Sequence, residues 1–176
     1  MANRQALREL QTRLADRLQI ARTQGVAASW LAVEAGGVNY LFPMSQAGEI
    51  FPMSATQAVP YTQPWFLGVA NLRGGLFGVV DLASYVTGQG VAPKTEIARK
   101  ESRLVALNAA LEVNCALLID RLAGLRNQQA FSDFKERAPD APEFFGPQYV
   151  DENGASWQEI NLQSLAQQAH FLTIGA

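Results

Sequence analysis

The stretch GVANLRGGLFGVVDL, residues 68–82, sets the reading of the fold. Apolar and polar residues alternate toward a pair of glycines, and the pattern then runs on into Asp81. Alternation with a period of two belongs to a strand with one face buried, and adjacent glycines accept the positive φ values of a two-residue turn. The spacing predicts a β-hairpin turning at Gly74-Gly75, with Arg73 opposite Leu76, Asn71 opposite Gly78 and Gly68 opposite Asp81. One arginine, Arg73, stands at the mouth of this apolar hairpin.

The same grammar extends in both directions. SWLAVEAGGVNYLF (29–42) reads as a second hairpin, Leu31/Val33/Ala35 and Val38/Tyr40/Phe42 joined by Gly36-Gly37. GEIF (48–51) is a strand stopped by Pro52, and Pro52, Pro60 and Pro64 make residues 52–64 a loop. LASYVTG (82–88) is predicted as a short helix ended by Gly88. The polar, unpatterned QGVAPKTEIARKE (89–101) is read as a mobile connection. RLVALN (103–108) is a strand, and Leu111, Val113, Cys115, Leu117 and Ile119 alternate as a longer, half-buried one. Pro139, Pro142 and Pro147 make residues 131–149 a long crossing loop, and Asn153-Gly154 offers another hairpin turn. Asn161 can cap a last helix with Leu162, Leu165, Ala166 and Ala169 on one face. Many short strands with few helices predict a mainly β barrel or sandwich.

Residues 1–26 have a different character. Leu7, Leu10, Leu14, Leu18 and Ala21 recur at helical spacing, with Arg8, Arg13, Asp16, Arg17 and Arg22 largely off that stripe and Gly25 as a stop. Such a helix is marginal alone. Leu7, Leu14 and Leu18 are therefore expected to face an apolar surface, on the chain's own domain (the commoner case) or on a partner. This divides the chain into an amphipathic extension, 1–26, and a domain, 27–176, that folds without it.

Composition narrows the function. The chain has 176 residues, 14 basic and 16 acidic, for a net charge of −2, which argues against nucleic acid as a main partner. The N-terminal stretch is charged throughout, without the apolar run of a signal peptide, and no segment reaches the roughly 20 apolar residues that span a bilayer. With Cys115 as the one cysteine, a reducing cytoplasmic location is expected. Enzymatic patterns are weak. His170 is the only histidine, so no ordinary zinc site can be assembled with Cys115. Alternation places Cys115 with Val113 and Leu117, as a buried, inert thiol. No phosphate loop, dinucleotide fingerprint or serine elbow is present. A triad of Ser164, His170 and Asp120 can be drawn, as in almost any sequence. A ligand-binding barrel lined by Trp30, Tyr40 and Trp65 is the alternative from a different class, although such aromatics are more often core.

Pro60, Pro64, Gly68, Asn71, Leu72, Arg73, Gly74, Asp81 and Leu82 stand in an order that resembles the CheW-like family, with AGEIF (47–51) before them and IDRLAGL (119–125) after them. The similarity spans about residues 29–170. Two departures, Gly78 where the family usually has proline and the early helix, resemble its PilI branch, the coupling proteins of the system controlling type IV pili and twitching motility. The resemblance implies a mainly β fold of two interlocked SH3-like, five-stranded barrel subdomains with a groove between them. It implies no catalysis and no cofactor. Its implied partners are the CheW-like regulatory domain of a CheA-type histidine kinase and the cytoplasmic helical tip of a chemoreceptor, with no membrane insertion; coupling in flagellar chemotaxis is the alternative within the family. The implied partner-binding residues are Glu49, Gly68, Asn71, Leu72, Arg73 and Gly74, with Glu49 paired to Arg73.

Overall fold

The computed structural model describes residues 5, 6, 8–15 and 29–176. Eleven strands form two sheets: β1 (Trp30–Ala35), β2 (Val38–Pro43), β3 (Ala47–Pro52), β4 (Phe66–Leu72), β5 (Gly75–Asp81), β6 (Arg103–Leu107), β7 (Cys115–Ile119), β8 (Arg121–Arg126), β9 (Phe131–Lys135), β10 (Phe145–Asp151) and β11 (Ser156–Ile160). One sheet has the order β3-β6-β7-β5-β4, the other β8-β1-β2-β11-β10-β9. The mainly β reading is right, but the second sheet has six strands where five are expected.

Each sheet curls on itself. The edge strands β3 and β4 of the first are drawn together by a backbone bridge between Gln57, just beyond β3, and Val69 of β4, with N···O distances of 2.8 and 2.9 Å. In the second, β8 and β9 are opposite edges yet consecutive in the chain, joined only through residues 127–130. A link that short holds the two edges close. Inside the first sheet lie Phe51, Ala70, Leu72, Val79, Leu104, Ala106, Ala116 and Leu118. Inside the second lie Trp30, Ala32, Leu41 and Trp157. A third and larger cluster takes side chains from both sheets, among them Leu31, Val33, Tyr40 and Phe42 with Val80, Val105, Leu117 and Ile119. Because strand side chains alternate, β1 and β7 serve two clusters at once and are buried on both faces.

That packing corrects several expectations. β7 is a fully buried run, CALLI, and not the end of a longer half-buried strand; before it Ala109–Leu111 is a turn of 3₁₀ helix and Glu112 is left-handed (φ 58°). The supposed crossing loop 131–149 contains β9 and most of β10, with Pro147 tolerated where the β10–β11 register shifts. The supposed linker 89–101 ends in a helix, Glu96–Glu101, capped by the Thr95 side chain on Ala98 N. Ala169 is exposed, because the last helix stops at Gln167 and a second short one, Ala169–Leu172, begins. The helix at Leu82–Thr87 ends at left-handed Gly88 as expected. In the extension, residues 8–15 are helical, yet Leu10 and Leu14 are 57% and 52% exposed. On its own chain, therefore, Leu14 does not face an apolar surface. Leu7, Leu18, Ala21 and Gly25 lie outside the described residues.

Candidate partner-docking site

The β4–β5 hairpin turns one residue earlier than its glycine pair suggests. Leu72 pairs with Gly75 and Asn71 with Leu76, so the central turn residues are Arg73 and Gly74, not Gly74 and Gly75. Both are left-handed, at φ 50° and 79°, the conformation of a type I′ turn. Asn71 makes this register possible for an arginine, since its Oδ1 accepts a 2.9 Å hydrogen bond from Gly74 N across the turn. The shift moves Leu76 to the solvent face opposite Asn71, where it is exposed.

Arg73 Nη1 lies 2.6 Å from Glu49 Oε1 on β3. The pair therefore spans the seam that the Gln57–Val69 bridge crosses further along. With side chains 77% and 43% exposed, this ion pair contributes about 0–1 kcal/mol to stability and serves to hold the turn against β3. Gly68 serves the other crossing. At φ 128° it sits where L side chains rarely go, and a Cβ there would meet Gln57 O at 2.1 Å.

The six implied binding residues thus divide. Glu49, Asn71, Arg73 and Gly74 are exposed and adjoin one another at the hairpin tip, whereas Gly68 and Leu72 are buried and shape it from within. Ile50 and Leu76 add exposed apolar surface on the same two elements. Beyond the bridge, residues 52–64 are mostly exposed and contain no Asp, Glu, Lys or Arg. This loop is fixed at Gln57 and again at Thr62 and Gln63, which bond to the C-terminal residues 174–175. Between these anchors stands Tyr61, left-handed at φ 57° and 90% exposed. None of this surface was singled out in the sequence; the lack of charge over 52–64 is the signal that could have found it.

Other candidates are engaged elsewhere. Asp81, at the end of β5, is buried and caps the helix Leu82–Thr87, Oδ1 accepting from Ser84 N at 2.8 Å. Asp120 accepts from Gly36 N at 2.8 Å and pairs with Lys94. His170 lies against the rings of Trp65 and Tyr85, and Ser164 Oγ donates to Glu143 O at 3.5 Å, so the drawn triad is occupied by other contacts. Burial pushes the Cys115 thiol up to about 12. Trp30, Tyr40 and Trp65 are buried core residues.

The profile of the CheW-like domain matches residues 29–170. The chain belongs to the CheW-like family. Among curated relatives it is 26% identical over 155 residues to protein PilI of Pseudomonas aeruginosa, covering 86% of this chain and 83% of PilI. Among solved structures it is similar to the scaffolding protein TtCheW from Thermoanaerobacter tengcongensis, with a TM-score of 0.59 and 17% identity over 74% of this chain and 86% of that one. The latter likeness is one of fold. Within the CheW-like fold, the hairpin tip and the uncharged loop lie on the β3–β4 side of the first sheet.

Proposed function

We propose that this protein is a non-catalytic cytoplasmic adaptor. In this reading it couples the helical tip of a chemoreceptor to a CheA-type histidine kinase in the system that controls type IV pili and twitching motility. The family supports a coupling role, and the PilI relative favours the pilus system over the flagellar one. The observation that carries the reading is the surface around the β3–β4 seam. An ordered, exposed loop without a charged residue, bearing Met53, Val59 and Tyr61, continues from a hairpin tip whose single cation is held by Glu49. Depletion of charge with an exposed aromatic marks the centre of protein interfaces, while charge belongs on their rim. Weak contacts of this kind suffice where an array supplies avidity. The resemblance assigns Glu49, Gly68, Asn71, Leu72, Arg73 and Gly74 to partner binding, and the exposed four are proposed as direct contacts.

Reconstitution with purified kinase and receptor fragment tests this. Kinase autophosphorylation is expected to respond to the receptor only when the protein is present. Arg73→Ala is expected to stay soluble and folded and to couple poorly. A kinase that responds to receptor equally without the protein, or a protein that binds neither partner from its own organism, overturns the reading.

A further inference from the structure

A cavity of about 490 Å³ lies away from the hairpin tip, where connections of the two sheets meet. Its walls come from the helix Leu82–Thr87, the connection 89–95, the helix Glu96–Glu101 at Ala98, the β1–β2 turn at Gly36 and the β7–β8 corner at Asp120. Asp81, Lys94 and Asp120 are the ionisable residues that line it, so the walls carry two carboxylates against one ammonium.

Asp120 is fully engaged, Oδ2 accepting from Gly36 N at 2.8 Å and Oδ1 from Lys94. Asp81 is not. It is only 4% exposed, and its Oδ1 accepts from Ser84 N at 2.8 Å. Its Oδ2 accepts no hydrogen bond among the described residues, and none of their ion pairs includes Asp81. Nor is Oδ2 sealed in the core, since Trp65 Nε1 is the one fully enclosed side-chain polar atom among the described residues without a partner. It therefore opens into the cavity that Asp81 lines. A buried carboxylate with one bare oxygen is costly, and a donor that reaches it is correspondingly well held.

That single open oxygen selects the ligand. The charge of the walls calls for a cation. A divalent metal needs several oxygen ligands, and no group of three metal-ligating side chains exists among the described residues. A guanidinium prefers both oxygens of a carboxylate, and Oδ1 is already taken by Ser84 N. A point-like ammonium needs only one. Ala83, Ala92, Pro93 and Ala98 line the same cavity with short apolar groups suited to an alkyl chain. Gln89, whose side chain has no partner among the described residues, lines it too and offers a further acceptor. The size is that of a small-molecule site. We propose that this cavity binds a small aliphatic amine, its ammonium donating to Asp81 Oδ2 and its alkyl chain lying along the alanine and proline wall.

Isothermal titration calorimetry of the full chain with diaminobutane, at fixed ionic strength, tests this. A dissociation constant of about 1 mM or tighter is expected. Asp81→Asn should weaken binding by about tenfold or more, because an amide donor then faces the ammonium. Asparagine still caps the helix, so circular dichroism and thermal unfolding of this variant should stay near those of the wild type. Ala92→Leu, at an exposed lining position, should also weaken binding by filling the space while leaving Asp81 untouched. No binding at about 10 mM diaminobutane overturns the proposal, as does undiminished binding by folded Asp81→Asn. So does displacement of the amine by magnesium chloride at matched ionic strength, which would mark a general counterion effect. Binding of Nα-acetyl-lysine amide without binding of diaminobutane would assign the cavity to a partner's lysine side chain and overturns it as well.

Discussion

Substituting Gly68 by alanine tests whether the β3–β4 seam is closed by backbone or by charge. The new Cβ would lie 2.1 Å from Gln57 O and 2.7 Å from Gln57 C, both main-chain atoms that no side-chain rotation can clear. Gln57 must then withdraw, and the hydrogen bonds Gln57 N to Val69 O and Val69 N to Gln57 O are lost. Two such bonds at about 0.5–1.5 kcal/mol each, with about 1–3 kcal/mol for a non-glycine residue in this backbone region, give a loss of about 2–6 kcal/mol. That is a large part of the roughly 5–15 kcal/mol that holds a domain folded. Gly74→Ala is the control. Gly74 is also left-handed, but nothing lies within 4 Å of its would-be Cβ, so only the conformational cost of about 1–2 kcal/mol applies. Urea unfolding followed by tryptophan fluorescence gives both values, and hydrogen exchange at the Gln57 and Val69 amides reports the bridge itself. If Gly68→Ala loses no more than Gly74→Ala and both amides stay protected, the bridge does not close the sheet and the argument is refuted.

Other substitutions separate the remaining contacts. Arg73→Ala should cost at most about 1 kcal/mol in the same urea titration, because its ion pair is exposed. Asp81→Ala should cost about 0.5–2 kcal/mol by uncapping the helix Leu82–Thr87, and Asp81→Ser should recover most of it. Cys115 should resist iodoacetamide at about pH 8 until the protein unfolds, since its thiol ionises only near 12 in the folded state. Asp151 is held below its ordinary value by the Trp157 Nε1–H bond first and the Ala155 N–H bond second. Its contribution to stability is therefore present above the unfolded value of about 3.9 and lost as pH falls through the lower folded value. Asp151→Asn should shallow the acid limb of thermal stability against pH, and an unchanged limb speaks against the assignment.

The sequence announces elements through local pattern and conceals whatever depends on distant partners. Both Gly-Gly hairpins are legible because alternation and turn chemistry are local. The register of the second is not, because Gly74 and Gly75 offer two turns and an Asn71 side-chain bond chooses between them. β9 and β10 go unseen because their residues are partly or wholly exposed rather than alternately buried, and because Pro147 lies within β10 and Pro139 and Pro142 between the two. β7 is mistaken for a half-buried strand because Leu111 and Val113 continue its phase through a turn that is not a strand at all. At the site, the Glu49–Arg73 pair joins residues far apart in the chain with no local signal between them. It became legible only through the family resemblance, whereas the uncharged loop beside it left a trace in plain composition.

How the two sheets share their core bears on how such a protein can transmit anything. Had each sheet closed around its own side chains alone, the two would meet as separate bodies and relative motion would be the default. Here the largest cluster belongs to neither sheet. Leu31, Val33, Tyr40 and Phe42 from one interdigitate with Val80, Val105, Leu117 and Ile119 from the other, and all are buried. A hinge between the sheets would have to part these side chains, at about 25 cal/mol for every Å² of apolar surface exposed. A salt bridge adds a polar cross-link nearby: Lys94, in the connection between the helix Leu82–Thr87 and β6, pairs with Asp120, whose carboxylate also accepts from Gly36 N in the β1–β2 turn. The shared core therefore resists relative motion of the two sheets. On the adaptor reading proposed above, such a body would pass a signal by fixing the distance and angle between the surfaces it presents. Substitutions that loosen the shared core, such as Leu117→Ala, should weaken coupling in proportion to lost stability, without touching either surface.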